Sequence, residues 1–318
     1  MVMFLGLPGA EHEDREAFQE IDTKGLFGTF VKWSAVIRDT KRIPEYVSRA
    51  YHTARSGRPG PVVLGLPEDM LSAESSAVEG KAARVAVPAP RASDMAALEK
   101  ALAKAERPIM IIGGPGWSGD VQKKVQAFAE RFDLPVLAAF RYQDYFDNRH
   151  ANYCGHAGLG LDAKLAAAIK GADLIIAVGA RLGEITTSGY TLIEIPAPKQ
   201  TLIHVHPSAD ELGSVYRPDV AIAATAETFA AALDVLKAPK GPARWAAMRK
   251  DLRAVYEASL KPAPLPGAVK LAEIIRTCSD VLPETAIITN GAGNYAAFLH
   301  KHFQYKGYRT QLAPTSGS

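Results

Sequence analysis

The stretch RPIMIIGGPGWSGDVQKKVQAFAERF (107–132) decides the fold. An apolar run ends in glycines, and the residues after it place Val121, Val125, Phe128, Ala129 and Phe132 on one helical face. A strand that passes through a glycine turn into a helix is the opening unit of a doubly wound α/β domain. Similar apolar runs follow at LPVLAAF (134–140), DLIIAVGA (173–180) and TLIHVHP (201–207), with the helical LAAAIKGA between the first two and DVAIAAT and ETFAAAL closing the region. Near-continuous apolar strands belong to parallel sheets covered on both faces. The expectation is an α/β fold with a Rossmann-like, doubly wound parallel-sheet central domain over residues 93–237, its first helix capped by Ser93.

Outward from this centre the chain holds only parts of domains. Residues 1–71 open on a strand-like MVMFLG, continue through a helix with Ile43, Tyr46, Val47, Ala50 and Ala54 on one face, and close on the buried strand GPVVLGLP, with Gly57 as the expected helix C-cap. Residues 72–92 lose periodicity and gain Ser, Ala and Pro, as linkers do. Residues 238–265 form a connecting helix between Pro-rich turns, and residues 266–318 supply a helix, a strand and a glycine loop leading into another helix. Partial α/β domains thus flank the central one.

Composition excludes several classes. The 318 residues are 47% hydrophobic and 22% charged with a net charge of +3, and no basic stripe suggests nucleic acid as a partner. The apolar runs are too short to span a bilayer, and the first residues lack the basic start of a signal peptide. Cys154 and Cys278 have no metal-type spacing and suit a reducing cytoplasm, so a cytoplasmic location and no membrane partner are expected.

Several motifs could carry chemistry. Gly113 and Gly114 lie where backbone N–H groups can cradle a phosphate, although Pro115 and Trp117 break the dinucleotide spacing; a tight turn with nothing bound is the other reading. Gly179 and Arg181 follow a strand in the same way, with Arg181 meeting a phosphate or pairing with Glu184. His204 and His206 share a strand face without a third ligand in the sequence, so hydrogen-bonded histidines are the expectation and a metal site is not. Asp120 sits at a helix start and is read as a cap. These residues alone leave a nucleotide-binding module without catalysis open. An NAD-dependent dehydrogenase is disfavoured by Arg141 standing where an acidic residue would be needed.

Two further stretches, REAFQEID (15–22) and SGRPGPVVLGLPEDML (56–71), with Lys32 and Trp33 between them, resemble the thiamine-diphosphate-dependent enzymes of the acetolactate synthase type. RPIMIIGG, GARLGE, LIHVHP, TNGAGNYAAF and TSGS extend the resemblance to essentially the whole chain. It implies that residues 1–71 close a pyrimidine-binding domain, that residues 93–237 are the central domain, and that residues 266–318 begin a diphosphate-binding domain. The implied activity is decarboxylation of a 2-oxo acid, pyruvate first, with carboligation; a decarboxylase of the benzoylformate decarboxylase type is the alternative.

Thiamine diphosphate and Mg²⁺ are the implied cofactors, and the implied assembly is a homodimer or homotetramer. Gly291, Ala292, Gly293, Asn294 and Tyr295, with Gly317 and Ser318, would approach the diphosphate, and Phe18, Gln19 and Lys32 would lie near the substrate entrance. FAD is the group that Gly113, Gly114, Gly179 and Arg181 would suit, although HVHP replaces the acidic pattern of FAD-binding relatives. The family's catalytic glutamate is expected upstream of Met1, and its magnesium-binding Gly-Asp-Gly motif downstream of Ser318. The chain is therefore expected to be an internal fragment that is inactive alone, with no catalytic or metal-binding residue of its own.

Overall fold

The computed structural model describes residues 1–238, 240–264 and 266–314. They form two compact units, Met1–Val87 and Pro88–Ser318. Gly317 and Ser318 lie outside the described residues.

In the first unit, β1 (Val2–Leu7), α1 (Thr23–Phe27), β2 (Trp33–Val36), α2 (Ile43–Arg55), β3 (Val62–Pro67) and α3 (Glu68–Ser72) follow in order. The strands form a parallel sheet in the order β1-β3-β2. β3 is central, which is why Val62, Val63 and Leu64 are all buried. The expected apolar face of α2 packs on it: Ala50 and Ala54 are buried, and Ile43, Tyr46 and Val47 flank the same cluster. α2 ends at Arg55, and Gly57 follows at φ +56°, a left-handed turn suited to glycine.

The second unit begins with α4 (Ala92–Lys104) and β4 (Pro108–Ile112), then α5 (Gly119–Phe132), β5 (Val136–Ala139) and β6 (Tyr153–Ala157). α6 (Ala163–Gly171), β7 (Leu174–Val178), β8 (Thr201–His206), β9 (Val220–Ala223), α7 (Ala226–Ala232) and α8 (Ala246–Ser259) complete the large domain. Its six strands are all parallel in the order β6-β5-β4-β7-β8-β9. Numbered from β4, this is the 3-2-1-4-5-6 arrangement of a Rossmann sheet, with its switch point between β4 and β7. Two apolar clusters cover the opposite faces of this sheet. Met110, Ile112 and Phe128 belong to one, and Ile109, Ile111 and Ile169 to the other.

Caps and one strand depart from the sequence reading. The first helix of the large domain starts at Ala92, and its first turn is fixed by Asp94, whose carboxylate accepts from the Arg91 backbone N–H at 2.9 Å. The cap of α5 is Ser118, whose Oγ accepts from Val121 N, and Asp120 sits inside the first turn. β6 has no counterpart in the sequence reading because Gly155 interrupts its run. Gly155 takes φ +116°, and an added Cβ would meet Leu165 at 3.1 Å.

α9 (Leu271–Val281), β10 (Ile288–Thr289), α10 (Ala296–His302) and β11 (Gln311–Leu312) end the chain. β10 and β11 pair in parallel, and they belong to the same compact unit as the large sheet. No helix among the described residues is long and apolar enough to cross a membrane.

Candidate functional site

A strand as short as β10 cannot hold a loop by itself. The loop at 290–295 is fixed by its ends: Asn290 N donates to Leu312 O at 3.2 Å, and Ala296 N, Ala297 N and Phe298 N close the first turn of α10 on Gly293, Asn294 and Tyr295 carbonyls. Between these ends the backbone N–H groups of residues 291–295 make no hydrogen bond among the described residues, and Gly291, Ala292, Gly293, Asn294 and Tyr295 are all exposed. The Tyr295 ring lies across the loop. A Cβ on Gly293, which has φ +147°, would come within 2.5 Å of that ring, and one on Gly291 would lie 3.1 Å from its hydroxyl. The loop borders a cleft of about 800 Å³ whose walls include Leu271, Ile288, Asn290, Gly291, Tyr295 and Leu312. Uncommitted N–H groups on a glycine backbone at the rim of a cleft fit a diphosphate, whose oxygens need several donors and close approach.

In the first unit, Phe18 and Gln19 line an open cavity of about 620 Å³ together with Gly6, Leu7, His12 and Glu68. Phe18 is 89% exposed, and Gln19 takes a left-handed φ of +64°. Lys32 is not on that wall. Its ammonium donates to the Ser56 carbonyl at 2.6 Å, and burial lowers its pKa.

The glycines of the large sheet meet at the switch point, but they meet each other. An added Cβ on Gly114 would sit 1.8 Å from Gly179 O, and one on Gly179 would sit 2.3 Å from Gly113 O. The Trp117 indole donates to Gly113 O and the Tyr145 hydroxyl to Gly114 O, both at 2.9 Å. Backbone contact between the β4 and β7 turns accounts for these glycines without a ligand. Arg181 pairs with Glu211 at 3.0 Å and not with its near neighbour Glu184.

His204 Nε2 lies 2.8 Å from Ala180 O, and His206 Nδ1 accepts from Ser208 N at 3.1 Å. Each histidine is therefore engaged with backbone, as expected. No group of three His, Cys, Asp or Glu side chains that could hold a metal ion occurs among the described residues. Cys154 is buried in the sheet core, where burial pushes its thiol up to about 12.

The loop between β5 and β6 carries polar residues that the sequence reading did not assign. Asp144 is buried and accepts from Thr310 N at 3.1 Å and Gln311 N at 3.2 Å. Asn148, also buried, exchanges two hydrogen bonds with the Tyr305 backbone, each at 2.9 Å. These bonds attach the segment that ends in β11 to the carboxyl edge of the large sheet. Their partners lie far apart in sequence, so no local pattern could have shown them.

Residues 95–233 match the family described as thiamine pyrophosphate enzyme, central domain. The chain is 26% identical to the acetolactate synthase large subunit of Corynebacterium glutamicum, over 98% of the chain and 51% of that relative. It is 27% identical to the Lactococcus lactis large subunit, over 100% and 55%, and 30% identical to the Escherichia coli isozyme 1 large subunit, over 93% and 52%. The chain spans about half the length of these curated relatives. Residues 95–233, which hold the Rossmann-ordered sheet, thus match the central domain of thiamine pyrophosphate enzymes, and the chain as a whole is similar to acetolactate synthase large subunits.

Proposed function

We propose that these residues serve a thiamine-diphosphate-dependent enzyme that decarboxylates a 2-oxo acid, pyruvate first, and joins the acyl unit to a second acceptor. The glycine loop at 290–295 carries this reading: the N–H groups of residues 291–295 are uncommitted among the described residues, and Gly291 and Tyr295 line the cleft. The acetolactate synthase relatives favour carboligation over simple decarboxylation. Bound thiamine diphosphate would supply the nucleophilic carbon and the electron sink.

This chain's contribution is to hold the group. Gly291, Ala292, Gly293, Asn294 and Tyr295 would receive the diphosphate, with Gly317 and Ser318 as further candidates. Phe18, Gln19 and Lys32 would border the substrate entrance of the assembled enzyme. No group of three His, Cys, Asp or Glu side chains among the described residues would hold magnesium. A second copy of the subunit would complete the site.

Calorimetry on the 318-residue chain tests the loop. Thiamine diphosphate should bind about tenfold or more tightly than thiamine, since charge-assisted bonds to the phosphates are absent in the latter. Gly291→Val should erase that difference, because its side chain would crowd the Tyr295 hydroxyl. Equal binding of the two compounds by the unaltered chain would remove the diphosphate reading. In the complete enzyme, acetolactate from pyruvate supports carboligation, whereas aldehyde release alone supports the decarboxylase alternative.

A further inference from the structure

Arg141 follows β5 at the carboxyl edge of the large sheet, where open α/β sheets place their ligands. It holds a left-handed φ of +64°, a strained backbone for a residue with a side chain. Its guanidinium lies 4.7 Å from the centre of the Phe140 ring. Among the described residues its enclosed Nε has no hydrogen-bond partner and no carboxylate pairs with it. A half-buried cation without an anion is costly unless something else supplies the charge.

The surroundings are built around this group. His300 of α10 packs edge-on against the same Phe140 ring at 5.4 Å, is 3% exposed, and has no hydrogen-bond partner at either ring nitrogen among the described residues. His156, at the end of β6, is buried beside it with ring centres 6.1 Å apart. His156 is itself satisfied, its Nε2 lying 3.1 Å from Leu159 O. Gly158 leaves the space that Phe140 fills, since a Cβ there would meet the ring at 2.9 Å. Tyr295, which borders the 800 Å³ cleft, lies within electrostatic reach of Arg141. Burial keeps His300 neutral at ordinary pH, with its pKa lowered to about 4, so Arg141 is the cation of the group.

We propose that Arg141, backed by Phe140 and His300, binds the oxyanion group of a small molecule, a carboxylate or a phosphoryl group. The planar fork of arginine takes two oxygens of either at once. The unpartnered nitrogens of His300 give the entering oxygens, or a water held by them, a second hydrogen-bonding group in an enclosed setting. The site uses a side chain of the central domain, whereas the diphosphate reading uses backbone N–H groups of the glycine loop, so the two can fail separately.

Titration calorimetry of the 318-residue chain with pyruvate and with inorganic phosphate, in chloride buffer at fixed ionic strength, tests it. Saturable binding of pyruvate assigns the site to carboxylates, and saturable binding of phosphate assigns it to phosphoryl groups. In either case Arg141→Gln should weaken binding about tenfold or more, the worth of a charge-assisted pair. Arg141→Lys, which keeps the charge and loses the fork, should fall between the two. It also stands in should the glutamine variant fail to fold. Arg217→Gln, an exposed arginine elsewhere in the unit, should change nothing. Ring-nitrogen NMR signals of His300 should shift on ligand addition, which a purely structural arginine would not produce. Failure of both anions to bind, or equal loss in Arg141→Gln and Arg217→Gln, overturns the proposal.

Discussion

Replacing Asp144 by Asn should make the Pro88–Ser318 unit more stable at pH 8 and change little at pH 4. Burial raises the Asp144 carboxyl from 3.8 to about 6, against the opposing pull of the Gln311 and Thr310 N–H groups that it accepts. The folded state therefore holds this proton more tightly than the unfolded chain does. Between about pH 4 and pH 6 stability falls as pH rises, and above about 6 the full penalty stands. A carboxyl that titrates near 6 in place of 3.8 carries about 3 kcal/mol when ionised. Asparagine is neutral at every pH and can still accept the two backbone bonds through its carbonyl. The expected gain of Asp144→Asn is thus about 2–3 kcal/mol larger at pH 8 than at pH 4. Urea unfolding followed by the fluorescence of Trp117 and Trp245, both buried in this unit, reads the difference. An equal difference between variant and parent at both pH values would refute a buried, raised Asp144 carboxyl. A variant that loses stability only at pH 8 would do the same, because the backbone N–H bonds would then outweigh burial.

Three further outcomes follow from the geometry. Gly114→Ala should cost about 3 kcal/mol or more in urea unfolding, since its Cβ would lie 1.8 Å from Gly179 O at a φ of +75°. Gly160→Ala, with φ +78° and nothing within 4 Å, should cost only about 1 kcal/mol, so similar losses at the two positions would refute the packing account. Asn148→Ala removes a buried side chain that bonds the Gln143 and Phe146 carbonyls and the Tyr305 N–H, and should cost about 3 kcal/mol. Hydrogen exchange at the Tyr305 amide should quicken with that loss, and unchanged exchange there would count against the clamp.

The sheet was legible because its strands are buried on both faces and must be apolar throughout. β4, α5, β7 and β8 declare themselves in that way, whereas β6 mixes Gly155 and His156 into its run and does not. Glycine turns were legible as turns, but the sequence does not say what each glycine accommodates. At Gly114 and Gly179 it is another stretch of backbone, and at Gly293 it is the Tyr295 ring. Side-chain pairing was the least legible layer. Arg181 had an acidic neighbour at Glu184 and took the remote Glu211 instead, because β8 runs beside β7 and brings the following residues alongside. Arg141 and His300 both pack on the Phe140 ring, across a separation that no local period records.

The β5–β6 loop links these observations. Two-residue strands such as β10 and β11 cannot stand as an independent sheet, so their order has to come from elsewhere. The loop supplies it through Asp144 to the Thr310 and Gln311 backbone, Gln143 N to the Gln311 side chain at 3.0 Å, and Asn148 to Tyr305. Arg253 of α8 holds the loop in turn, donating to the Asn148, His150 and Tyr153 carbonyls at 2.8–2.9 Å. β11 reaches the large sheet through these bonds, and the glycine loop is pinned to β11 by Asn290. The candidate cofactor cradle is therefore positioned by buried polar residues of the central domain and not by its own small sheet. Weakening the β5–β6 loop should loosen the cradle without touching it, because its bonds from Asp144 to Thr310 and from Asn148 to Tyr305 are buried and costly to leave unmade.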